Sequence, residues 1–476
     1  MKMLTCSQLS NFLTGFSDKI VKQFVLLLLF GSVSFCIHAE NQGVQKTITS
    51  SQGTSLKWLP ASALPSFITE VKRPTWINNA ADWYQKKSVQ GDFQIHGFIG
   101  QSYIVTSHND VFGNSDKGGS FGLTEAGLNA SFRPLPKLLV SAQVLSRRAG
   151  EGNSGMPRLD FAFLDYRVYS HEANQFGIRA GRLKNPFGFY NDTRDVPFTR
   201  PSILLPQSIY FDRTRNLGMS GDSVQVYGDL SHPKWGSFST QFGIWWPIVH
   251  DRDTRTSVFL PRTNDDSGMN GNLTREPSYI GRGIYETNDK RIRLAVSGIW
   301  LNTDYVPRLG DSVGGQSVSD GSLEFSPIYF SAQYNAERWS LTSEYAIRHF
   351  AYSNFNNKTL DGIHFYGESY YVQGEYRFTP KWEGFVRYDA LFTDRSDKSG
   401  KEWASENKLS GLGLEHSRYA KDITVGLRWN VTPEFMLRAE YHHVIGTGWL
   451  SRLDNPKVGD THKEWDLFAI QGSYRF

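Results

Sequence analysis

The chain has 476 residues, of which 39% are hydrophobic, 21% charged and 14% aromatic, and its formal net charge is +4. So small a net charge on so long a chain argues against a nucleic-acid partner. A mean hydropathy of -0.42 argues against a bundle of membrane-spanning helices. The low mean hydropathy does not exclude a membrane-spanning β-barrel, because only alternate residues of its strands face lipid. The aromatic excess suits the two interfacial belts of a barrel, and equally a large soluble all-β protein.

The first 39 residues have the pattern of a secretory signal peptide. A basic flank precedes the apolar run Phe24–Cys36, and the small residue Ala39 follows as the predicted cleavage site. The run is too short to span a bilayer as a helix. Both cysteines, Cys6 and Cys36, lie within this segment. We therefore expect an exported mature chain without a disulfide.

Residues 40–90 follow without a clear period. Pro60, Pro65 and Pro74 interrupt them, and we predict an N-terminal segment on the periplasmic side. Transporter barrels have about 22 strands and a plug domain in the lumen. A segment of this length is too short to form such a plug. The barrel itself is expected over residues 91–476.

From about residue 90, short turns alternate with long polar stretches, as in outer-membrane barrels. The short turns fall at 133–137, 170–174, 231–234, 287–289, 335–338, 379–381 and 430–434. The long stretches fall near 107–119, 149–158, 185–220, 247–277, 302–325, 349–368, 393–421 and 446–464. This rhythm predicts sixteen strands with both termini in the periplasm, and eighteen strands are the alternative. The segment Leu409–Glu415 resembles a further strand, but counting it would break the alternation, so we assign it to an external loop.

The strands alternate in polarity with a period of two. Ile423, Val425 and Leu427 share one face of a strand, with Thr424 and Arg428 opposite. The end of the chain shows the same pattern. A soluble sandwich would solvate such polar faces equally well. Together with the export signal and the turn rhythm, however, the pattern predicts an all-β fold, a transmembrane antiparallel β-barrel in the cell outer membrane.

Sixteen strands enclose an aqueous channel, whereas about eight are filled by side chains. The function expected of the barrel is therefore passive diffusion of small hydrophilic solutes or ions. The charged side chains at inward positions are the predicted pore lining. They are Arg293, Arg348, Arg377, Arg387, Arg428, Arg438, Glu344, Glu375, Glu383, Asp389 and Glu440.

The stretch 185–220 is too long for a turn, and long loops are usually functional. We predict that it folds into the lumen and forms the constriction. The alternative is a loop that covers the barrel mouth or packs on a neighbouring subunit. Its charged residues, the candidates for selectivity, are Arg194, Arg200, Arg213, Arg215, Asp192, Asp195 and Asp212. Because the arginines outnumber the acids by one, we expect a weak anion preference.

Motifs just before this stretch, within it and at the end of the chain resemble a known family. They include Gly181-Arg-Leu-Lys184, Pro186-Phe-Gly188, Arg200-Pro-Ser202, Leu205-Pro-Gln-Ser208 and the terminal Ser473-Tyr-Arg-Phe476. The chain is similar here to proteobacterial outer-membrane porins of the phosphate-selective porin O/P-like superfamily. The resemblance implies a homotrimer. A terminal aromatic residue also resembles the signal read by the barrel-assembly machinery, which makes Phe476 the expected assembly signal.

Chemistry for catalysis is not evident in the sequence. There is no phosphate-binding lysine loop. His442 and His443 point to opposite faces of a strand, so they cannot readily hold one metal. We expect no cofactor, no metal and no enzymatic activity, with outer-membrane lipid and small solutes as partners. A phospholipase- or protease-like barrel enzyme, which would build its site from separate strands, and a structural or adhesive barrel remain the alternatives.

Overall fold

The computed structural model describes residues 93–212, 215–249, 269–313, 315–358, 360–407 and 413–476. The predicted signal peptide (1–39) and the predicted N-terminal segment (40–90) lie outside the described residues.

Sixteen antiparallel strands form one closed barrel. They are β1 (Phe93–Thr106), β2 (Leu123–Leu135), β3 (Leu138–Ala149), β4 (Arg158–His171), β5 (Asn174–Lys184), β6 (Ser220–His232), β7 (Gly236–Pro247), β8 (Ser278–Glu286), β9 (Ile292–Val306), β10 (Gly321–Asn335), β11 (Trp339–Ser353), β12 (His364–Arg377), β13 (Trp382–Phe392), β14 (Tyr419–Asn430), β15 (Phe435–Gly446) and β16 (Glu464–Arg475). Each strand pairs with its neighbours in the chain, and β16 closes the ring on β1 from Phe98↔Arg475 to Thr106↔Leu467.

In the described parts of the connections, the elements are short. Two-residue strands lie at Asn153–Ser154, Asn272–Leu273, Ser312–Val313 and Gln316–Ser317. Helical turns lie at α1 (Arg215–Met219), α2 (Lys401–Glu406), Asn191–Thr193, Pro197–Thr199, Glu415–Arg418 and Val458–Asp460. Among the described residues, no helix has the length and apolarity that a transmembrane helix requires.

The predicted strand number and the rhythm of turns and loops are confirmed. Each predicted short turn joins two strands of a hairpin, and each predicted long stretch holds a loop at the opposite end. In the doubtful segment 409–415, residues 409–412 lie outside the described residues and 413–415 are not a strand. The alternation of turn lengths therefore decided the count correctly, because a membrane barrel has its short turns at one rim.

The outer surface of the barrel is apolar. On β14, Ile423, Val425 and Leu427 are exposed, whereas the alternate residues Asp422 and Thr424 are buried. The sheet has no free edge, so every strand finds backbone partners on both sides. Paired backbone and apolar outward side chains are what hydrocarbon requires of a spanning structure.

Aromatic side chains mark the rim with the short turns. Trp382 and Trp429 are cross-strand partners, and their rings stack with centroids 5.0 Å apart and planes 5° from parallel. Tyr334 and Trp339 flank the short turn at 335–338, with ring centroids 5.2 Å apart. Such rings belong at the membrane–water interface, where one side of the ring meets lipid.

The inner surface is not polar throughout, which differs from the water-filled lumen expected from the alternation. Trp245, Ile299 and Tyr329 of β7, β9 and β10 are buried and pack in one cluster with Leu205 and Ile209 from the long connection between β5 and β6. The inward positions of this wall carry large apolar residues because they contact protein rather than water. Part of the barrel interior is therefore a dry core.

We expect a lysine on the outer face at mid-strand to destabilise the barrel. Val386 and Val425 are paired on β13 and β14 and are 59% and 44% exposed. Val425→Lys should lower the free energy of unfolding in lipid vesicles by about 2–4 kcal/mol, because the charge would enter hydrocarbon. Leu309→Lys, at a fully exposed position of an external loop, is the control and should be neutral. Equal stability of the two variants would show that Val425 does not face lipid.

Candidate functional site: a loop folded into the barrel

The connection between β5 and β6, residues 185–219, is called the inserted loop below. It begins and ends at one place, because the Asn185 amide donates to the Met219 carbonyl (2.9 Å) and its side chain donates to the Gly218 carbonyl (2.9 Å). The side chain of Asn191 binds both the Asn185 carbonyl (2.7 Å) and the Met219 carbonyl (3.1 Å). A long loop with its ends pinned together projects as one unit.

Glu344, at an inward position of β11, holds the first part of the inserted loop. Its carboxylate accepts hydrogen bonds from the Phe189 amide (2.9 Å) and the Tyr210 hydroxyl (2.6 Å), both in the loop. From the wall it accepts the hydroxyls of Ser331 (2.5 Å) and Tyr371 (2.9 Å). Glu344 is fully buried. A buried carboxylate with four donors is well satisfied, so it can serve as an anchor.

A glycine allows the loop to approach this anchor. Gly188 has φ +56°, and a Cβ there would lie 2.3 Å from the Tyr210 hydroxyl and 2.9 Å from a Glu344 carboxylate oxygen. The Gly188 amide donates to the Ser297 hydroxyl (3.0 Å), and its carbonyl accepts from Arg282 (3.2 Å). Any other residue would push the loop away from the wall.

Glu440 of β15 holds the far side of the loop. Its two oxygens accept the amides of Ile203 (2.7 Å) and Leu204 (2.9 Å). Its partner in the wall is His442, which contacts Glu440 at 3.0 Å through Nε2 and Asp422 at 2.8 Å through Nδ1. The carboxylate–histidine–carboxylate chain is buried and fixes the orientation of Glu440.

Two arginines of the wall bind loop carbonyls. Arg387 donates to the Ser202 hydroxyl (3.1 Å) and the Leu204 carbonyl (3.2 Å). Arg438 donates to the carbonyls of Arg200 (3.1 Å) and Ser202 (2.6 Å). The irregular loop backbone leaves amides and carbonyls without secondary-structure partners, and the carboxylates and guanidinium groups of the wall satisfy them.

The predicted loop arginines are themselves paired. Arg200 forms an ion pair with Glu125 of β2, and Arg147 of β3 contacts the same carboxylate at 3.4 Å. Arg147 also contacts Asp212 at 2.8 Å, and Arg194 lies 3.7 Å from Asp212. Burial lowers the pKa of Arg194 to about 10. The site is thus a continuous charged network that links the loop to two strands.

The other predicted loop charges join a second network. Asp195 pairs with Arg215 and Lys184, and Lys184 also contacts Asp160 of β4 at 2.6 Å. Burial lowers the pKa of Arg215 well below its ordinary value. Asp192 pairs separately with Arg282 of β8 at 2.6 Å. Arg213 lies outside the described residues.

The inserted loop leaves a cavity on each side. The inner chamber, next to the short turns, has a volume of about 480 Å³. Its charged lining is Arg200, Arg293, Arg428, Asp192, Glu375 and Glu383. The outer chamber, next to the long loops, has a volume of about 190 Å³. Its charged lining is Arg194, Arg215, Arg348, Arg418 and Arg452.

The predicted pore-lining residues therefore divide into groups. Arg293, Arg428, Glu375 and Glu383 line the inner chamber, and Arg348 lines the outer one. Glu344, Arg387, Arg438 and Glu440 bind the inserted loop instead, and Asp389 accepts the Ser208 amide at 3.4 Å. Arg377 donates to the Ala336 carbonyl (2.8 Å) at a short turn. Sequence reasoning placed these residues inward but did not separate the ones that hold the loop.

Some site residues were not predicted as such. Arg147, Asp160 and Lys184 complete the two networks, and the alternation of their strands could have placed them inward. Arg418 and Arg452 belong to external loops, where no periodic signal exists.

Comparison with solved structures finds outer-membrane proteins. OprB of Pseudomonas putida aligns with a TM-score of 0.52 and 13% identity over 83% of this chain and 97% of that chain. An anion-selective porin from Comamonas acidovorans has a TM-score of 0.49 and 13% identity over 81% and 99%. A loop-deletion mutant of OmpT, an outer-membrane protein of Vibrio cholerae, has 0.48 and 12% over 81% and 100%. No family model and no curated protein sequence matches the chain.

The likeness to OprB concerns the fold alone. A closed sixteen-strand barrel of this fold, with an apolar exterior, identifies the chain as an outer-membrane β-barrel protein. The resemblance to the phosphate-selective porin superfamily rests on the sequence motifs.

Removing the charge of the Glu344 anchor should loosen the inserted loop. In Glu344→Gln, an amide group replaces the carboxylate that accepts four hydrogen bonds in the parent protein. We therefore expect a loss of about 2–3 kcal/mol of stability. Limited proteolysis should then cut within 185–219 while the barrel keeps its heat-modifiable migration on gels. Glu337→Gln, in an exposed short turn, is the matched control. A variant at Glu344 with parental stability and no new cleavage would contradict the anchoring role.

Proposed function

We propose that this protein is a porin that gives small hydrophilic solutes or ions passive passage across the outer membrane, with a weak preference for anions. The observation that carries the proposal is the inserted loop. It narrows a sixteen-strand barrel from within and leaves a charged chamber on each side. Charged side chains that line a constriction set the field that a passing solute meets.

The distribution of charge supports the direction of the preference. The inner chamber is balanced, with Arg200, Arg293 and Arg428 against Asp192, Glu375 and Glu383. The outer chamber has five arginines, and among the described residues no acidic side chain lines it. The loop arginines Arg194, Arg200 and Arg215 are each paired with a carboxylate, which reduces the field they present. A weak anion preference follows, with its source on the outer side.

Two finer features rest on sequence resemblance. The resemblance to the phosphate-selective porin superfamily suggests a trimer. Phe476 is the candidate signal for the barrel-assembly machinery, and its backbone pairs with Gly97 (3.0 and 3.1 Å) at the seam that closes the barrel. A Cβ at Gly97 would lie 2.3 Å from the Phe476 ring, so the glycine leaves room for the terminal aromatic side chain.

A barrel enzyme is the second candidate, followed by a structural or adhesive barrel. Within the barrel, His442 is the side chain that most resembles a catalytic group, and its surroundings do not support an enzymatic role. His442 has carboxylates on both ring nitrogens but is 1% exposed and bonded within the wall, so a substrate has no access to it.

Planar bilayers distinguish these classes. The purified protein should produce discrete ohmic conductance steps. In a salt gradient, the zero-current potential should have the sign expected for an anion-selective pore. Lipase or protease activity in the absence of conductance would favour the enzyme. The absence of both enzymatic activity and conductance would favour a structural barrel.

Neutralising two loop arginines should move the selectivity toward cations. In Arg194→Gln/Arg200→Gln, Arg147 alone remains to compensate Glu125 and Asp212, so the loop gains net negative charge. We expect the anion-to-cation permeability ratio to fall to parity or below. Arg291→Gln/Arg338→Gln, at two exposed short turns, is the control with the same charge change. A zero-current potential that the double variant leaves unchanged would mean that the inserted loop does not set the selectivity.

A further inference from the structure

The outer chamber combines positive charge with an apolar wall. It is bounded by the inserted loop, by the inward faces of β9–β13 and by the external loops 393–418 and 447–463. Its five arginines are accompanied by aromatic side chains on three of the strands. The inner chamber has as many acidic as basic side chains. The two sides of the loop therefore differ in the chemistry that they offer to a solute.

The apolar wall is built from flat rings. Phe350 stacks on Phe365 with centroids 5.5 Å apart and planes 4° from parallel. The ring centroids of Phe325 and Tyr352 lie 5.7 and 5.2 Å from the centroid of Phe350. The chamber volume of about 190 Å³ is of the size that accommodates one benzene ring, since an apolar cavity of about 150 Å³ binds benzene. A hydrated inorganic ion would gain nothing from this wall.

Two arginines of the chamber lie over aromatic rings. The Arg348 guanidinium lies 4.8 Å from the Phe211 ring centroid, and that of Arg418 lies 4.1 Å from the Trp403 ring centroid. Both arginines line the chamber, and a guanidinium can bind a carboxylate through its N–H groups. Arg348 already donates one N–H to the Phe392 carbonyl (3.2 Å).

Arg452 is an arginine of the chamber whose charge is not paired with a described carboxylate. Among the described residues, no carboxylate lies within ion-pair distance of it, and Asp454 nearby accepts the amides of Gly113 (3.3 Å) and Glu151 (2.9 Å) instead. Burial lowers the pKa of Arg452 to about 10, so it stays charged at neutral pH. A partly buried cation without a carboxylate partner favours an anionic ligand.

We propose that the outer chamber binds a monocyclic aromatic carboxylate, with the ring against Phe350 and Phe365 and the carboxylate paired with the arginines, Arg452 foremost. The inference rests on the proposed diffusion function, because such a solute would be held at the external side before it passes the inserted loop. Stacking on aromatic rings and a charge-assisted bond to arginine act on different parts of the ligand. Each part alone should therefore bind more weakly than the two together.

Isothermal titration calorimetry of the detergent-solubilised protein tests the site without requiring conductance. The probes are benzoate, acetate, benzyl alcohol and inorganic phosphate. Benzoate should bind about tenfold or more tightly than each of the other three. Arg452→Gln should weaken benzoate binding about tenfold. Arg395→Gln, which removes the same charge from an exposed position of an external loop, should bind benzoate as the parent does.

The outcomes separate this inference from the proposed function. Acetate or phosphate binding as tightly as benzoate, or parental affinity in a folded Arg452→Gln, would overturn the aromatic carboxylate site. If Arg452→Gln lacks the heat-modifiable migration of a folded barrel, Arg418→Gln replaces it with the same expectation. A protein that conducts but does not bind benzoate refutes the site alone. A protein that binds benzoate but never conducts refutes diffusion and retains the site.

Discussion

The inserted loop is irregular backbone held in the middle of a barrel, and its amides and carbonyls must find partners there. The wall supplies them. Glu344 and Glu440 accept loop amides, and Arg387 and Arg438 donate to loop carbonyls. An unpaired backbone group in such a place would be costly. Most of the arrangement inside the barrel follows from this requirement, including which charges remain for a solute.

A charge that holds the loop offers little field to an ion. Arg387 and Arg438 are buried under the loop. The charges that remain line the two chambers. Since the inner chamber is balanced and the outer one is positive among its described residues, the two faces of the loop present different fields to a solute. The charges that line each chamber thus depend on where the loop lies as much as on how many arginines it carries.

The dry part of the interior explains how one loop can be kept in place. Leu205 and Ile209 pack against the apolar wall of β7–β12, while Ile203 and Leu204 pack against the cluster that contains Trp465 of β16. Burial of these side chains holds the loop without using charge. The polar anchors then determine its orientation, because each has only one set of partners. Apolar contact and hydrogen bonding therefore act together on the same segment.

The sequence by itself determined the strands, their number and which of their residues face outward. These properties are local: a period of two places Val425 outside and Thr424 inside, and turn length distinguishes the two rims. Only the tertiary structure decided what the inward residues do. Glu440 meets Ile203 across 237 positions of the chain, and Arg200 meets Glu125 across 75. The role of Arg452 likewise depends on how an external loop folds over the barrel. Such meetings depend on where the loop settles in space, and no periodicity of the sequence encodes that position.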